Sequence, residues 1–333
     1  MRFLAEARRR PASLADHLPW AALVAPGVVL NKDGSFLTAM RFRGPDLESS
    51  TEDELMAVRA RLNNALKRLG TGWCLHVEAR RRPADPYPAA EPQGPAAMLL
   101  DAERRAVFET AEPAFETDFR LSLTWLPPAD ETRRLERVMF DGLARAGRDW
   151  RATLETFQRE ADAILDLVSD TLPQAERLGD AALLTWLHGC ASTRPHLIDP
   201  DATPAFLDAT LADEALTGGI APRLGAHWLK VVSVRSLPAA TRPGLLDALS
   251  SLPFAYRWTA RWIALDKADG EREITRLRKR WFAKRKGVGV LLREAITKEE
   301  VPLLDTDAAG KTEECDGCLL YTSPSPRDRQ KSR

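Results

Sequence analysis

Gly27-Val28-Val29-Leu30-Asn31-Lys32-Asp33-Gly34-Ser35-Phe36-Leu37-Thr38-Ala39-Met40-Arg41-Phe42-Arg43 sets two apolar runs on either side of a turn-forming tetrad. Asn, Asp and Gly tolerate the backbone that a tight reversal needs, so the stretch reads as a β-hairpin. Its second run alternates, with Phe36, Met40 and Phe42 on one face and Arg41 and Arg43 on the other. Downstream, Thr51 stands three residues before Glu54 as a capping box. Leu55, Val58, Leu62, Ala65, Leu66 and Leu69 then follow at helical spacing up to Gly70. Trp73, Leu75, Val77 and Ala79 alternate with Cys74, His76, Glu78 and Arg80, which predicts a strand whose second face is more polar. Hairpin, helix and strand make the first unit.

Further along, Pro83 to Pro95 is a proline-rich loop, and Pro95 suits the first turn of a helix running to about Glu109. Leu99, Leu100, Ala106, Val107 and Phe108 give that helix an imperfect apolar face. Phe119, Leu121, Leu123 and Trp125 alternate with Arg120, Ser122 and Thr124, a clean strand ended by Pro127-Pro128. Trp150, Leu154, Phe157, Ala161, Ile164, Leu165 and Val168 share one face of a long helix from Asp149 to about Asp170. In the second half, His227 to Ser236 reads as a buried strand, Pro243 to Leu252 as a short helix, Phe254 to Leu265 as a strand, and Glu271 through Lys286 as a long charged helix. The fold class is therefore α+β, with two small mixed sheets, each covered by helices, and long amphipathic helices. The domains expected are 1–145, 146–312 and a tail over 313–333.

With 333 residues, 44% hydrophobic and 29% charged, and 48 basic against 48 acidic side chains, the chain is neither disordered nor collagen-like. No apolar run reaches the roughly 18 residues of a membrane-spanning helix. Neutral net charge gives no global pull toward nucleic acid or acidic lipid. The four cysteines, Cys74, Cys190, Cys315 and Cys318, do not suggest a disulfide framework.

Motifs that carry chemistry fail on spacing. Ala309-Gly310-Lys311-Thr312 resembles the end of a phosphate-binding loop, but Asp305 stands where the first glycine belongs and would repel phosphate. Gly287-Val288-Gly289 lacks the strand that should precede a dinucleotide turn. His188 and Cys190 are too close to be opposite ligands on one helix face. His17, His76, His196 and His227 are scattered, and Cys315-Cys318 is half of a zinc site without its other half. No catalytic, cofactor-binding or metal-ligating residue follows. The strongest local charge feature is the helix 272–286, with Arg272, Arg276, Arg278, Lys279, Arg280, Lys284, Arg285 and Lys286 around Trp281 and Phe282. It offers contact to DNA phosphates or anionic lipid, or else a solvated face anchored by its aromatics. The aromatic run Phe254, Tyr256, Trp258 and Trp262 reads as a core face rather than a base-stacking sheet.

Leu14-Ala15-Asp16-His17-Leu18-Pro19-Trp20 with the hairpin that follows, Arg41 to Leu47, Arg61-Leu62-Asn63-Asn64-Ala65-Leu66, Leu123 to Pro128 and Glu299 to Asp307 form long collinear runs. They resemble the N-terminal part of the conjugal transfer ATPases of the CagE/TrbE/VirB family of type IV secretion proteins, over residues 1 to about 312. The resemblance implies an assembly portion of an ATPase peripheral to the cytoplasmic face of the bacterial inner membrane, contacting other secretion subunits and homo-oligomeric when full length. ATP and Mg²⁺ would belong to the motor, whose Walker A and Walker B elements lie beyond this sequence, so this portion should be inactive alone. Pro19, Trp20, Arg276, Lys279, Arg280, Lys284 and Arg285 are the interface candidates. No small-molecule substrate is implied. The alternative is a self-contained nucleic-acid-binding module using helix 272–286. The run Leu319 to Arg333 resembles a translated sequencing adapter, which sets 313–333 aside as an artefactual tail.

Overall fold

Strands β1 (Trp20–Ala25), β2 (Val28–Asn31) and β3 (Phe36–Phe42) form an antiparallel meander. The two turns explain it. Gly27 has φ +67° between β1 and β2, and its N–H donates to Asp180 Oδ1 at 2.5 Å. A Cβ there would stand 2.9 Å from the Leu178 carbonyl oxygen, so only glycine fits. In the hairpin, Gly34 takes φ +82° while Asp33 Oδ1 accepts from Ser35 N–H at 3.0 Å and Ser35 Oγ at 2.6 Å. The structure, a computed structural model, describes residues 13–46, 49–89, 93–110, 113–128, 149–201, 205–234 and 244–285.

Helix α1 (Glu52–Leu66) begins at the capping box: Glu54 N–H donates to Thr51 Oγ1 at 3.3 Å, and Thr51 N–H to Glu54 Oε2 at 2.8 Å. The Thr51 backbone and hydroxyl hydrogen bonds hold the Glu54 carboxyl below its ordinary value. A depressed carboxyl favours the folded state above its unfolded pKa and loses that contribution as pH falls through the folded value. Carboxyl NMR titration should therefore give Glu54 a midpoint below that of an ordinary glutamate, and Thr51→Ala should return it. A wild-type midpoint at or above the ordinary value contradicts the capping geometry.

Strands β4 (Trp73–Pro83) and β5 (Phe115–Trp125) pair along eleven residues each and flank helix α2 (Pro95–Thr110) in sequence. After helix α3 (Asp149–Ser169) come β6 (Glu176–Arg177), helix α4 (Asp180–Ala191) and the single-turn α5 (Leu207–Leu211). The larger sheet runs β1-β2-β3-β5-β4-β10, with β6 also on β3 and β10 spanning Tyr256–Ile263; every pairing is antiparallel. A minor antiparallel sheet joins β7 (Leu216–Thr217), β8 (Arg223–Leu224) and β9 (His227–Trp228). The class is α+β as expected, with two sheets, but they are antiparallel rather than mixed and very unequal.

Helix α3 covers one face of the large sheet. Its stripe of Trp150, Leu154, Phe157, Ala161, Ile164, Leu165 and Val168 is buried throughout. Phe157, 0% exposed, stacks on Phe36, Trp73 and Trp125 with ring centroids 5.4, 5.7 and 6.4 Å away. The other face packs Trp20, Val29, Leu37 and Ala39 against Leu183, Leu184, Leu187 and Ala191 of α4 and Leu207 and Leu211 of α5. That face also holds a charge cluster. Glu78, 5% exposed, accepts from Trp186 Nε1 at 3.2 Å and faces Arg257 Nε at 3.4 Å and Arg120 Nη1 at 3.8 Å. Burial, then the charges of Arg257 and Arg120, lower the pKa of neighbouring Arg80. Burial pushes the Cys190 thiol up to about 12.

Three expectations are corrected. Only His227–Trp228 of the stretch 227–236 is a strand, and Val231 and Val232 are 84% and 82% exposed, because no neighbouring ladder receives them. The strand near 256–263 builds no second sheet; it extends the first along the free edge of β4. The short helix expected over 243–252 is the 3-10 turn Asp247–Ser251. The division expected at residue 145 falls in 129–148, outside the described residues, and elements on both sides of it share the large sheet. By packing, the chain forms two units. One runs through Arg68, from Gly72 to Arg235 and on to Ile263; the other joins Leu69–Thr71 to the segment from Ala264, which contains helix α6 (Lys267–Arg285). The tail 313–333 lies outside the described residues.

Candidate partner interface

Helix α2 buries none of its sixteen residues. It is held on one side through Tyr87: the hydroxyl donates to Asp101 Oδ1 at 2.9 Å, the Arg105 guanidinium lies 4.9 Å above the ring, and Phe108 meets it edge-on at 5.7 Å. Asp101, Arg105 and Phe108 fall at i, i+4 and i+7, so they define one face. The Asp101 hydrogen bond raises the Tyr87 pKa. Helical rotation of about 100° per residue then puts Leu99, Leu100 and Val107 on the opposite side. These are 64%, 55% and 69% exposed. An apolar face expected to pack inward instead points to solvent, because the Tyr87 contacts take the helix's polar side.

The free edge of the large sheet is the second exposed feature. Directly opposed residues share a face, so Trp258 and Trp262 stand with Ala79 and Leu75, while Arg257 and Arg261 stand with Arg80 and His76. Trp262 and Ile263 are 58% and 60% exposed, so the aromatic run is an edge and not the core face expected. Burial, and then the charge of Arg261, keep His76 below its ordinary pKa. The largest concavity described, about 890 Å³, sets Arg41, Arg43 and Arg120 among Glu116, Asp118 and Glu176. Its balanced charge and its lack of a glycine turn do not fit a nucleoside triphosphate.

The interface candidates named from sequence separate. Trp20 is 7% exposed within the core, so packing and not contact explains it. Pro19 is exposed, and its carbonyl oxygen accepts from Lys32 N–H at 2.7 Å. On α6, Arg276 pairs with Glu273 at 2.7 Å and Arg272 with Asp269, while Lys279 and Arg280 are exposed. In the same unit Asp269 also accepts from Thr71 Oγ1 at 2.7 Å, which with Arg272 holds its carboxyl low. Lys284 and Arg285 lie in the last turn of α6, and their side chains, with Lys286 and the segment Ala309 to Thr312, fall outside the described residues. Among the histidines read as scattered, His188 and His196 meet with ring centroids 4.2 Å apart; a spacing of eight residues across a helix end and a loop gave no sign of it.

Residues 27–133 match the family described as the type IV secretion system ATPase VirB4/TrbE, N-terminal domain. The chain is 34% identical over 294 residues to the conjugal transfer protein TrbE of Rhizobium radiobacter, covering 83% of this chain and 36% of the relative. It is 43% identical over 118 residues to a probable conjugal transfer protein TrbE of Sinorhizobium fredii, covering 34% of this chain and 79% of the relative. The type IV secretion system protein virB4 of Bartonella henselae is 22% identical over 277 residues, 78% of this chain and 35% of the relative. The chain thus spans about a third of the length of the Rhizobium and Bartonella relatives. A match to the N-terminal domain that takes in the meander, α2 and β5, together with these relatives, shows that the chain belongs to the VirB4/TrbE family of conjugal transfer and type IV secretion ATPases, as its N-terminal portion.

Proposed function

We propose that this chain is the assembly portion of a conjugal transfer ATPase and docks it to inner-membrane subunits of the secretion apparatus through α2. The observation that carries this is the outward apolar face of Leu99, Leu100 and Val107, held away from its own fold by the Tyr87 contacts. A helix that presents leucine and valine to water while its polar side is anchored is suited to receive an apolar segment of a partner. Helix-in-groove contacts of this kind depend on burial, so they resist salt. No helix among the described residues is long and apolar enough to cross a membrane, and the proposed location is peripheral, on the cytoplasmic face. ATP and Mg²⁺ are proposed for the motor of the longer relatives, along with homo-oligomerisation; the described residues do not fit ATP.

The exposed Lys279 and Arg280, with Arg276, Lys284 and Arg285, support a second contact, to anionic lipid or DNA. Pairing of Arg272 and Arg276 to Asp269 and Glu273 reduces the free charge available. Pro19 is a further exposed candidate.

The test is co-purification with detergent-solubilised inner-membrane subunits of a conjugation apparatus. Leu99→Asp with Val107→Asp should reduce retention at least about tenfold, with thermal stability unchanged, since neither side chain is buried. Retention untouched by the pair contradicts docking through α2. Salt-sensitive DNA binding, lost on neutralising Lys279 and Arg280, would instead favour the nucleic-acid module.

A further inference from the structure

Helix α4 brings His188 into the core at its last turn: the side chain is 1% exposed, and neither Nδ1 nor Nε2 has a hydrogen-bond partner among the described residues. A buried imidazole with both nitrogens unpaired is costly, so its surroundings should supply a partner. Two groups converge on it. Asp213 Oδ2 stands 3.2 Å from Nε2, within reach but out of line for a hydrogen bond. His196 sets its ring 4.2 Å from that of His188, inclined at 60°. One donor atom from each of the three residues lies within 4.8 Å of the others.

The frame holding them is built without an ion. Glu214, next to Asp213 and 8% exposed, accepts from Thr193 N–H at 2.5 Å, Thr193 Oγ1 at 2.8 Å and Ser192 Oγ at 3.3 Å, and pairs with Arg194 Nε at 3.4 Å. The loop that carries His196 is therefore fastened to the segment that carries Asp213. His196 Nδ1 lies 3.2 Å from the Arg194 carbonyl oxygen; as a donor there, Nδ1 leaves the Nε2 lone pair free to bind. Two imidazoles and a carboxylate suit a borderline divalent cation such as zinc, and the exposed side of His196 leaves room for water as a fourth ligand.

We propose that His188, His196 and Asp213 form a divalent transition-metal site of the zinc class, which clips the end of α4 to the loop 192–196 and to the segment after α5. It is independent of the docking reading. The ion would give the buried imidazole its missing partner and tie three segments that the core alone brings together.

The test uses the full chain carrying Cys315→Ser and Cys318→Ser, so that the terminal thiols do not compete, after removal of metal with a chelator. Zn²⁺ titrated against a chromophoric competitor should bind at one equivalent per chain and raise the thermal midpoint. Co²⁺ should give the visible bands of a four- or five-coordinate site. His196→Ala and Asp213→Asn, both at exposed positions, should keep the fold and weaken Zn²⁺ at least about tenfold. The proposal is overturned if no equivalent binds, or if both variants bind Zn²⁺ as the parent does.

Discussion

Phe157→Ala should lower unfolding stability by about 3–5 kcal/mol, the range for truncating a fully buried aromatic. Phe157 is the ring through which α3 meets the sheet. It stacks on Phe36 from β3, Trp73 from β4 and Trp125 from β5, and Trp73 and Trp125 stack on each other at 5.8 Å. Removing it leaves a cavity bounded by three rigid rings from three strands, none of which can close inward without breaking its ladder. The urea midpoint measured by tryptophan fluorescence reads this directly, because two of the lining residues are tryptophans. Leu99→Ala is the matched control. It removes apolar atoms from a side chain 64% exposed and should change stability by less than about 0.5 kcal/mol. A loss below about 1 kcal/mol at Phe157 would contradict the packing described.

Glu78→Ala should have an effect of similar size by a different cause. One carboxylate at 5% exposure serves Trp186 Nε1, Arg257 and Arg120, and Arg257 also donates to the Gly189 carbonyl oxygen at 2.6 Å. Deleting it leaves two guanidinium groups facing each other with Arg80 beside them. Breaking a buried ion pair from one side costs about 3–5 kcal/mol, because the remaining charge stays desolvated. Glu78→Gln keeps an acceptor for the indole but removes the charge, and should fall between wild type and Glu78→Ala. Adding Arg257→Met to Glu78→Ala should recover part of the loss in a double-mutant cycle. Equal stability of wild type and Glu78→Ala in urea would show that the cluster is solvated and not part of the core.

Much of this architecture was legible where a single period controls the pattern. The α3 stripe is buried at every position from Trp150 to Val168, since one helix face lies on one sheet face. The hairpin at Asn31–Gly34 and the Thr51 capping box are local chemistry, and local chemistry needs no tertiary context. Helix α4 was illegible for the opposite reason. Leu183, Leu184, Trp186, Leu187 and His188 are buried on nearly all sides, so no periodicity marks it. Strand β1 belongs to an apolar run divided by Pro26-Gly27, where a break in the run is the turn itself. Partner choice for β10 depends on which edge is free, and the outward face of α2 depends on Tyr87, which precedes the helix in the proline-rich loop. Neither is written in the spacing of the element concerned. The site at His188 needs three segments to meet, and only the fold brings them together.

Docking through α2 is tested most directly by placing a photoactivatable benzophenone residue at Val107 of this chain, in cells that carry a conjugation apparatus, and irradiating. The account predicts adducts with an inner-membrane secretion subunit from position 107 and none from position 101, which faces Tyr87. Adducts absent from 107, or equal from both positions, would contradict it.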